Sequence, residues 1–391
     1  MALTDHLANR ASEIAEWRQD IHANPELLFD VHRTAGFVAE RLEAFGCDEV
    51  VTGIGRTGVV GLIHGRNGAV GRTIGLRADM DALPIAETTG VPWASKVRGK
   101  MHACGHDGHT AMLLGAAREL CDERNFNGTV AVIFQPAEEG GAGGRVMVED
   151  GLMERFSIDQ VFGMHNLPGL PVGQFGMRTG AIMASADYPE IEILGKGGHA
   201  AMPHTTADPM VAAAQMIVSL QTVVSRSTDP LEANVVSITK LTADSSAFNV
   251  IPERVTLGGT VRTLSPKVRD ETEANVRRVV EGVAAAHGVG VTFRYRRGYP
   301  VTVNNASAVR TAIAAARKVA GDDEVITDHP PMMGAEDFAY MLEAQPGAYI
   351  FVGNGNSAGL HSPNYDFNDD AIPHGVRYWV ALAETALNEN L

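Results

Sequence analysis

Residues 101–110 of the chain read MHACGHDGHT, which places three histidines and one of only three cysteines within eight positions. Thiolate and imidazole are both good ligands for borderline metals such as Zn²⁺. Cys104 and His106 stand two apart on a glycine-containing turn, so both side chains can approach one point. A redox thiol and a histidine-rich polar loop are the competing readings. As a polar helix start before the apolar run AMLLGAA, the stretch would use Asp107 or Thr110 as a cap. That reading leaves the cysteine and histidine beside the cap unexplained. Further on, PAEEG sets Glu138 and Glu139 side by side after an apolar run. Two such carboxylates repel unless a cation or a shared proton relieves them. Neighbouring residues point in different directions, so one can bind a metal while the other faces the bound water. His165 in GMHN and His361 in GLHSP each read, alone, as hydrogen-bonded loop histidines. Together with Cys104, His106 and a glutamate they supply five ligands from four segments, enough for a two-metal hydrolytic site.

The elements that must hold these groups are legible as hydrophobic patterns. Leu7, Ile14, Trp17 and Ile21 recur at helical spacing after Thr4-Asp5, a pair able to cap an opening helix. Strands are expected at 57–65, 73–80, 129–134 and 160–165, as near-continuous Val/Ile/Leu runs suited to a mostly parallel α/β sheet. Asp79 and Asp81, the Glu138–Glu139 pair and His165 then all fall at carboxyl ends of strands, where ligand crevices of open α/β sheets lie. Residues 187–297 read differently: strand, helix (Asp208 to Val224), strand, strand, helix (Pro266 to His287), strand. That βαββαβ order is the ferredoxin-like arrangement, and it predicts an inserted domain at 185–298 within a discontinuous domain of 1–184 and 299–391. After it come a helix near 306–320, another from Ala335, a strand at 348–353 and a final helix from about Asp370. There is no internal repeat and no low-complexity segment.

With 391 residues and a net charge of −15, the chain has the size of two or three domains and the wrong sign for nucleic acid or an anionic membrane as partner. The opening MALTDHLANR has no basic n-region and no apolar h-region, so no secretory signal is expected. The longest apolar stretch, Met210–Val224, carries three polar interruptions and is too short to span a bilayer. Three cysteines without CxxC spacing favour a reducing cytoplasm over a disulfide framework. Three motifs tempt. GIGRTG (53–58) matches a dinucleotide fingerprint, but a strand follows it where a helix should open. GNSAG (355–359) resembles a nucleophile elbow around Ser357, with His361, Asp366 and His374 as triad partners on paper, but a proline- and asparagine-rich loop replaces the required helix. GGAGG (140–144) lacks the Lys-Ser/Thr of a phosphate loop and reads as a turn into a helix near 145–149.

ADMDALP (78–84), MHACGHDGHT, QPAEEGGAGG (135–144), GMHN (163–166), GGHAAMPH (197–204), GAEDF (334–338) and LHSPNYDFND (360–369) occur in this order along essentially the whole chain. In these motifs the sequence resembles the di-metal amidohydrolases, which include hippurate hydrolase, N-acyl-amino-acid amidohydrolases and auxin-conjugate hydrolases, within the wider aminoacylase and carboxypeptidase group. The resemblance implies two divalent metal ions (Zn, Mn, Co or Ni) on Cys104, His106, Glu139, His165 and His361, with Cys104 bridging. The peptidase branch has a metal-binding histidine where this chain has Asp79; His106 would supply that imidazole. It implies Asp81 as an orienting group and Glu138 as the general base that deprotonates the metal-bound water and protonates the leaving amine. His199 would reach a partner subunit's site, and Asn249 and Arg262 would contact the substrate carboxylate. The expected protein is a cytoplasmic hydrolase of N-acyl or N-aroyl amino acids, dimeric or larger through an inserted lid domain. A serine hydrolase using Ser357 and a non-catalytic binder of metal or acyl amino acids are the competing functions.

Overall fold

The apolar runs around the acidic motifs become strands for the reason their composition suggests: β-branched side chains fit a pleated surface buried on both faces. The computed structural model describes residues 3–388, and side chains from residue 10 on. In chain order, α1 (Leu3–Ala23) and α2 (His32–Phe45) precede β1 (Glu49–Ile54), β2 (Gly58–His64) and β3 (Thr73–Asp79). Then come α3 (His106–Glu123), β4 (Thr129–Gln135), β5 (Ile158–Leu167) and β6 (Phe175–Gly176). A second group follows, β7 (Asp187–Leu194), α4 (Pro209–Thr222), β8 (Asn234–Ala243), β9 (Arg254–Thr263), α5 (Pro266–His287) and β10 (Gly290–Arg297). The chain closes with α6 (Ala306–Ala320), β11 (Val325–Ile326), β12 (Gly347–Gly353) and α7 (Ile372–Asn388).

These elements form two compact units. The first is the chain up to Ile182 with Val303–Pro330 and the stretch from Asp337 on; the second is Met183–Thr302 with Pro331–Glu336. Among the described residues, the first unit holds an eight-stranded sheet in the order β1-β2-β4-β3-β5-β12-β6-β11. Its centre, β4-β3-β5-β12, is parallel, and every residue of β3, β4 and β12 is buried. The expected strand at 57–65 is there as β2, but it runs antiparallel to both β1 and β4. The GIGRTG turn is the cause, since it is too short for a crossover and closes a hairpin with Ile54 opposite Gly58. Helix α3 packs on β2 to β5 and is itself covered by α1, α2 and α7. It is buried along most of its length, and its first turn is thereby held at the carboxyl ends of the central strands.

The second unit has a four-stranded antiparallel sheet in the order β8-β9-β7-β10. Strand β7 alternates buried and accessible residues, the signature of a sheet with one covered face. Helices α4 and α5 pack on this sheet, through Ala212, Met216 and Leu220 and through Val276, Val280 and Ala284, against Ile191, Ile193, Val255 and Leu257.

Several local expectations shift. Neither Asp107 nor Thr110 caps α3: the helix starts from Gly105, in the left-handed region at φ 86°. A Cβ on Gly105 would sit 2.3 Å from Asn166 Nδ2 and 2.5 Å from the Tyr365 hydroxyl, so only glycine fits this turn. Strand β5 continues past His165 to Leu167. Asp208 stands outside α4 as its cap, accepting from the Met210 N–H at 2.8 Å, and Val223–Ser227 form a π-helical turn. The helix expected from Ala335 begins only at Ala339. Helix α1 has already begun at Leu3, and the Thr4, Asp5 and Leu7 side chains lie outside the described residues. No described helix is long and apolar enough to cross a membrane.

Candidate metal centre

The parallel register sets Asp79 level with Gln135 and Arg77 level with Gly163, so the residues that follow β4 and the end of β5 emerge beside Asp79. Five donors converge there. The Cys104 Sγ is 3.5 Å from His165 Nε2. Ligand atoms of Cys104, His106 and His165 lie within 4.8 Å of one another, as do those of Cys104, Glu139 and His361. The two triads share the Cys104 sulfur. His361 arrives from a loop at φ 64°, anchored by its own N–H on the Ala103 carbonyl at 2.7 Å, with Nε2 3.3 Å from Glu139 Oε1.

The ring nitrogens are sorted by their partners. His106 Nδ1 lies 2.8 Å from the Asp81 carbonyl and His165 Nδ1 lies 2.6 Å from the Asn166 carbonyl. A carbonyl only accepts, so each Nδ1 carries hydrogen and each Nε2 is left toward the donor group. Among the described residues, His106 Nε2 is buried without a hydrogen-bond partner, while Glu139 Oε1 has His361 Nε2 beside it. Buried polar atoms seldom stay so. Four carboxylates, those of Asp79, Asp81, Glu138 and Glu139, crowd here, all largely or wholly buried. Burial opposes charge on His106, yet Asp79, Asp81 and Glu139 raise its pKa to about 10. Burial first, then Glu139, Glu138 and Asp79, push the Cys104 thiol well above its usual range. Burial and the nearby histidines hold His165 neutral. A divalent cation answers all of these features: it would fill the orphaned nitrogen, offset the acids and draw the proton off the thiol. The donor set therefore fits a metal, and the two triads sharing one sulfur fit a pair.

Asp81 does not join the donors. Its Oδ1 accepts the N–H of Glu138 at 2.9 Å and its Oδ2 that of Glu139 at 3.2 Å, so one buried carboxylate fixes the backbone turn carrying both glutamates. Glu138 is buried, in a group with His106 and Glu139. His109 and Asn166 had no assignment from sequence, and both have work here. Asp79, held by Arg77 at 2.6 Å, faces His109 Nδ1 at 2.6 Å; His109 Nε2 accepts the Asn166 N–H at 2.9 Å. Asn166 donates to the Cys104 carbonyl at 2.7 Å and accepts from the Tyr365 hydroxyl at 2.8 Å. This chain of bonds holds the backbone of Cys104 beside that of His165. Two signals for it were present: Arg77, a charge inside an apolar strand, and the i,i+3 pair His106/His109 on one helix. His102 is fully buried outside the donor groups, and burial lowers its pKa to about 3. Asp107 instead pairs with His22 Nδ1 at 2.8 Å.

Three further candidates lie in the second unit. His199 ends one strand of a short ladder, opposite Val250, and Asn249 is the turn residue just before Val250, its carbonyl accepting the Ala200 N–H at 3.0 Å. Arg262, on β9, has a buried Nη1 without a hydrogen-bond partner among the described residues. Ser357 is turned to its own loop, with Oγ 2.9 Å from Asn354 Nδ2 and 3.3 Å from the Ala358 carbonyl. The next helical residues begin only at Asp369, so no helix opens on the serine, and among the described residues no histidine hydrogen-bonds Ser357.

A central parallel sheet with thiol, imidazole and carboxylate donors at its carboxyl edge defines a metal-dependent amidohydrolase when set beside known proteins. The chain belongs to peptidase family M20/M25/M40, whose model matches residues 75–385. It is 43% identical over 383 residues to hippurate hydrolase of Campylobacter jejuni, covering 98% of this chain and 99% of that one. N-acetylcysteine deacetylase of Bacillus subtilis is 40% identical, with 96% and 97% covered. Among solved structures, a dinuclear metal-binding M20 peptidase of Bacillus subtilis superposes with a TM-score of 0.85 at 37% identity, covering 97% of this chain and 99% of that one.

Proposed function

We propose that the protein hydrolyses the amide bond of N-acyl or N-aroyl amino acids, giving a carboxylic acid and a free amino acid. The observation that carries the reading is the pair of donor triads sharing the Cys104 sulfur. Cys104, His106, Glu139, His165 and His361 would hold two divalent ions, of Zn, Mn, Co or Ni. When bound, the ions lower the pKa of water and polarise the amide carbonyl. Glu138 takes the proton of the attacking water and returns it to the departing amine nitrogen as the C–N bond breaks. Asp81 keeps Glu138 and Glu139 in place through their backbone N–H groups. The names of the relatives, hippurate hydrolase and N-acetylcysteine deacetylase, support the substrate class.

In this reading the discontinuous first unit is the catalytic domain and the βαββαβ insertion is a ferredoxin-like lid. Its element order and its strand order β8-β9-β7-β10 support that. The lid supplies His199, Asn249 and Arg262 to the substrate, where a half-buried guanidinium whose Nη1 has no hydrogen-bond partner among the described residues suits a carboxylate. Val211 and Val218, 54% and 65% exposed and two turns apart on α4, suit a homodimer contact. Three free cysteines favour a reducing cytoplasm.

The test is metal analysis and turnover of wild type, E138Q and C104A on N-acetyl, N-benzoyl and indole-acetyl amino acids. E138Q is expected to keep both metals and lose about 10²-fold or more in kcat. Near-normal turnover removes Glu138 from the reaction. C104A is expected to hold fewer than two metals per chain, and an unchanged count removes the shared sulfur.

A further inference from the structure

Two of the three cysteines meet far from the metal donors. Cys47 lies in the short connection between α2 and β1, and Cys121 in the last turn of α3. Their sulfurs are 3.6 Å apart, although 74 residues separate them. The approach is enforced from both sides. Helix α2 ends on Gly46 at φ 80°, whose N–H reaches the Glu43 carbonyl, while the Cys47 N–H returns to Leu42 at 3.1 Å. That closure turns the chain back onto the helix it has left. Just past Cys121, Arg124 takes a left-handed conformation at φ 47°. Its guanidinium donates to the Gly46 carbonyl at 2.8 Å and to Asp48 Oδ2 at 2.6 Å. The residues on either side of Cys47 are therefore tied to the residue three beyond Cys121. The same guanidinium reaches the His64 carbonyl at 2.7 Å, which fixes the end of β2 to the same point. Cys121 is buried and Cys47 half-buried, so Cys47 is the more accessible residue of the two.

We propose that Cys47 and Cys121 form an oxidation site at which a peroxide installs one reversible intramolecular disulfide. With peroxide, the Cys47 thiolate attacks one oxygen, the O–O bond breaks and hydroxide leaves, giving a sulfenic acid. Cys121 then attacks that sulfur as its own thiolate, the S–O bond breaks, and water departs with the thiol's proton. Two thiols and one hydrogen peroxide give one disulfide and two waters. The neighbouring sulfur and then burial push the Cys47 thiol above its usual range, which makes oxidation slow at neutral pH and faster in alkali. The crosslink ties the α2–β1 connection to the end of α3, and so constrains the unfolded chain more than the folded one.

The experiment treats the metal-loaded protein with hydrogen peroxide and maps cysteines by mass spectrometry after non-reducing digestion. Expected is one linked peptide pair joining Cys47 to Cys121, two hydrogens lighter than the reduced pair, and released by dithiothreitol. Its formation should quicken from neutral to alkaline pH and raise the melting temperature of the oxidised protein. C47S and C121S should abolish the link while leaving turnover of the unoxidised enzyme unchanged, since neither sulfur is near the metal donors. Recovery of Cys47 as sulfinic acid with Cys121 still a thiol overturns the proposal. So does an oxidation product confined to Cys104, or one that links separate chains.

Discussion

Replacing Asp81 by asparagine changes one atom's chemistry and almost nothing of the shape. The wild-type carboxylate accepts two backbone N–H groups, one on each oxygen. An amide has one oxygen, so either Glu138 or Glu139 must present its N–H to an NH₂ group. Losing a charge-assisted hydrogen bond costs about 1.5–3 kcal/mol, and a buried N–H without a partner costs about 1–3 kcal/mol more. Part returns, because burial, together with the charge of Glu139, already disfavours the ionised Asp81. The remainder, about 2–3 kcal/mol, falls on the turn that carries Glu138, the proposed base, and Glu139, a proposed metal donor. If D81N must restore that turn to react, kcat drops about 30- to 150-fold at 1.4 kcal/mol per tenfold, with KM little changed. The assay is steady-state hydrolysis of an N-benzoyl amino acid by D81N, with metal content measured on the same sample. A metal-replete D81N whose kcat stays within about threefold of wild type would show that the turn does not depend on this carboxylate.

Y365F removes the hydroxyl that Asn166 Oδ1 accepts; stability should fall by about 1–2 kcal/mol. Metal affinity, read by competition with a chelator, should weaken about tenfold, and an unchanged affinity would separate Asn166 from the donors. His22 gives a pH signature. Burial resists its charge, but Asp107 and Glu87 outweigh burial and raise its pKa to about 9. The pair's contribution, on the order of 3 kcal/mol, is complete below the usual histidine pKa of about 6.5 and is lost as pH rises through about 9. Urea midpoints of wild type and H22Q should therefore converge between about pH 6 and about pH 10; a constant gap would refute the charged pair.

Strand order and donor positions were unequally legible. Asp79, the Glu138–Glu139 pair and His165 could be placed because strand carboxyl ends are marked by apolar runs that stop at a polar residue. The pattern of β2 did not disclose its antiparallel direction, which depends on the length of the turn before it. Asp107 reads as a helix cap because acids near helix starts often cap. Its actual partner, His22, is 85 residues away, and no local pattern encodes such a pairing. The same holds for Tyr365 with Asn166, 199 residues apart. Burial of His109 between Asp79 and Asn166 follows from α3 lying across the sheet, a packing outcome and not a local preference.

The central sheet has a consequence for the order in which the chain is made. Strand β5, which carries His165, pairs with β3 on one side and with β12 on the other, and β12 begins only at Gly347. His361 lies later still. A growing chain that has emerged as far as Thr302 already holds the whole βαββαβ insertion, each strand of which finds its sheet partners within that segment. The first unit at that moment has an open strand edge at β5 and lacks His361, one of the proposed donors. The part of the protein that gathers the proposed metal donors starts first and is completed last, so ions held by all five would be chosen by a nearly finished chain.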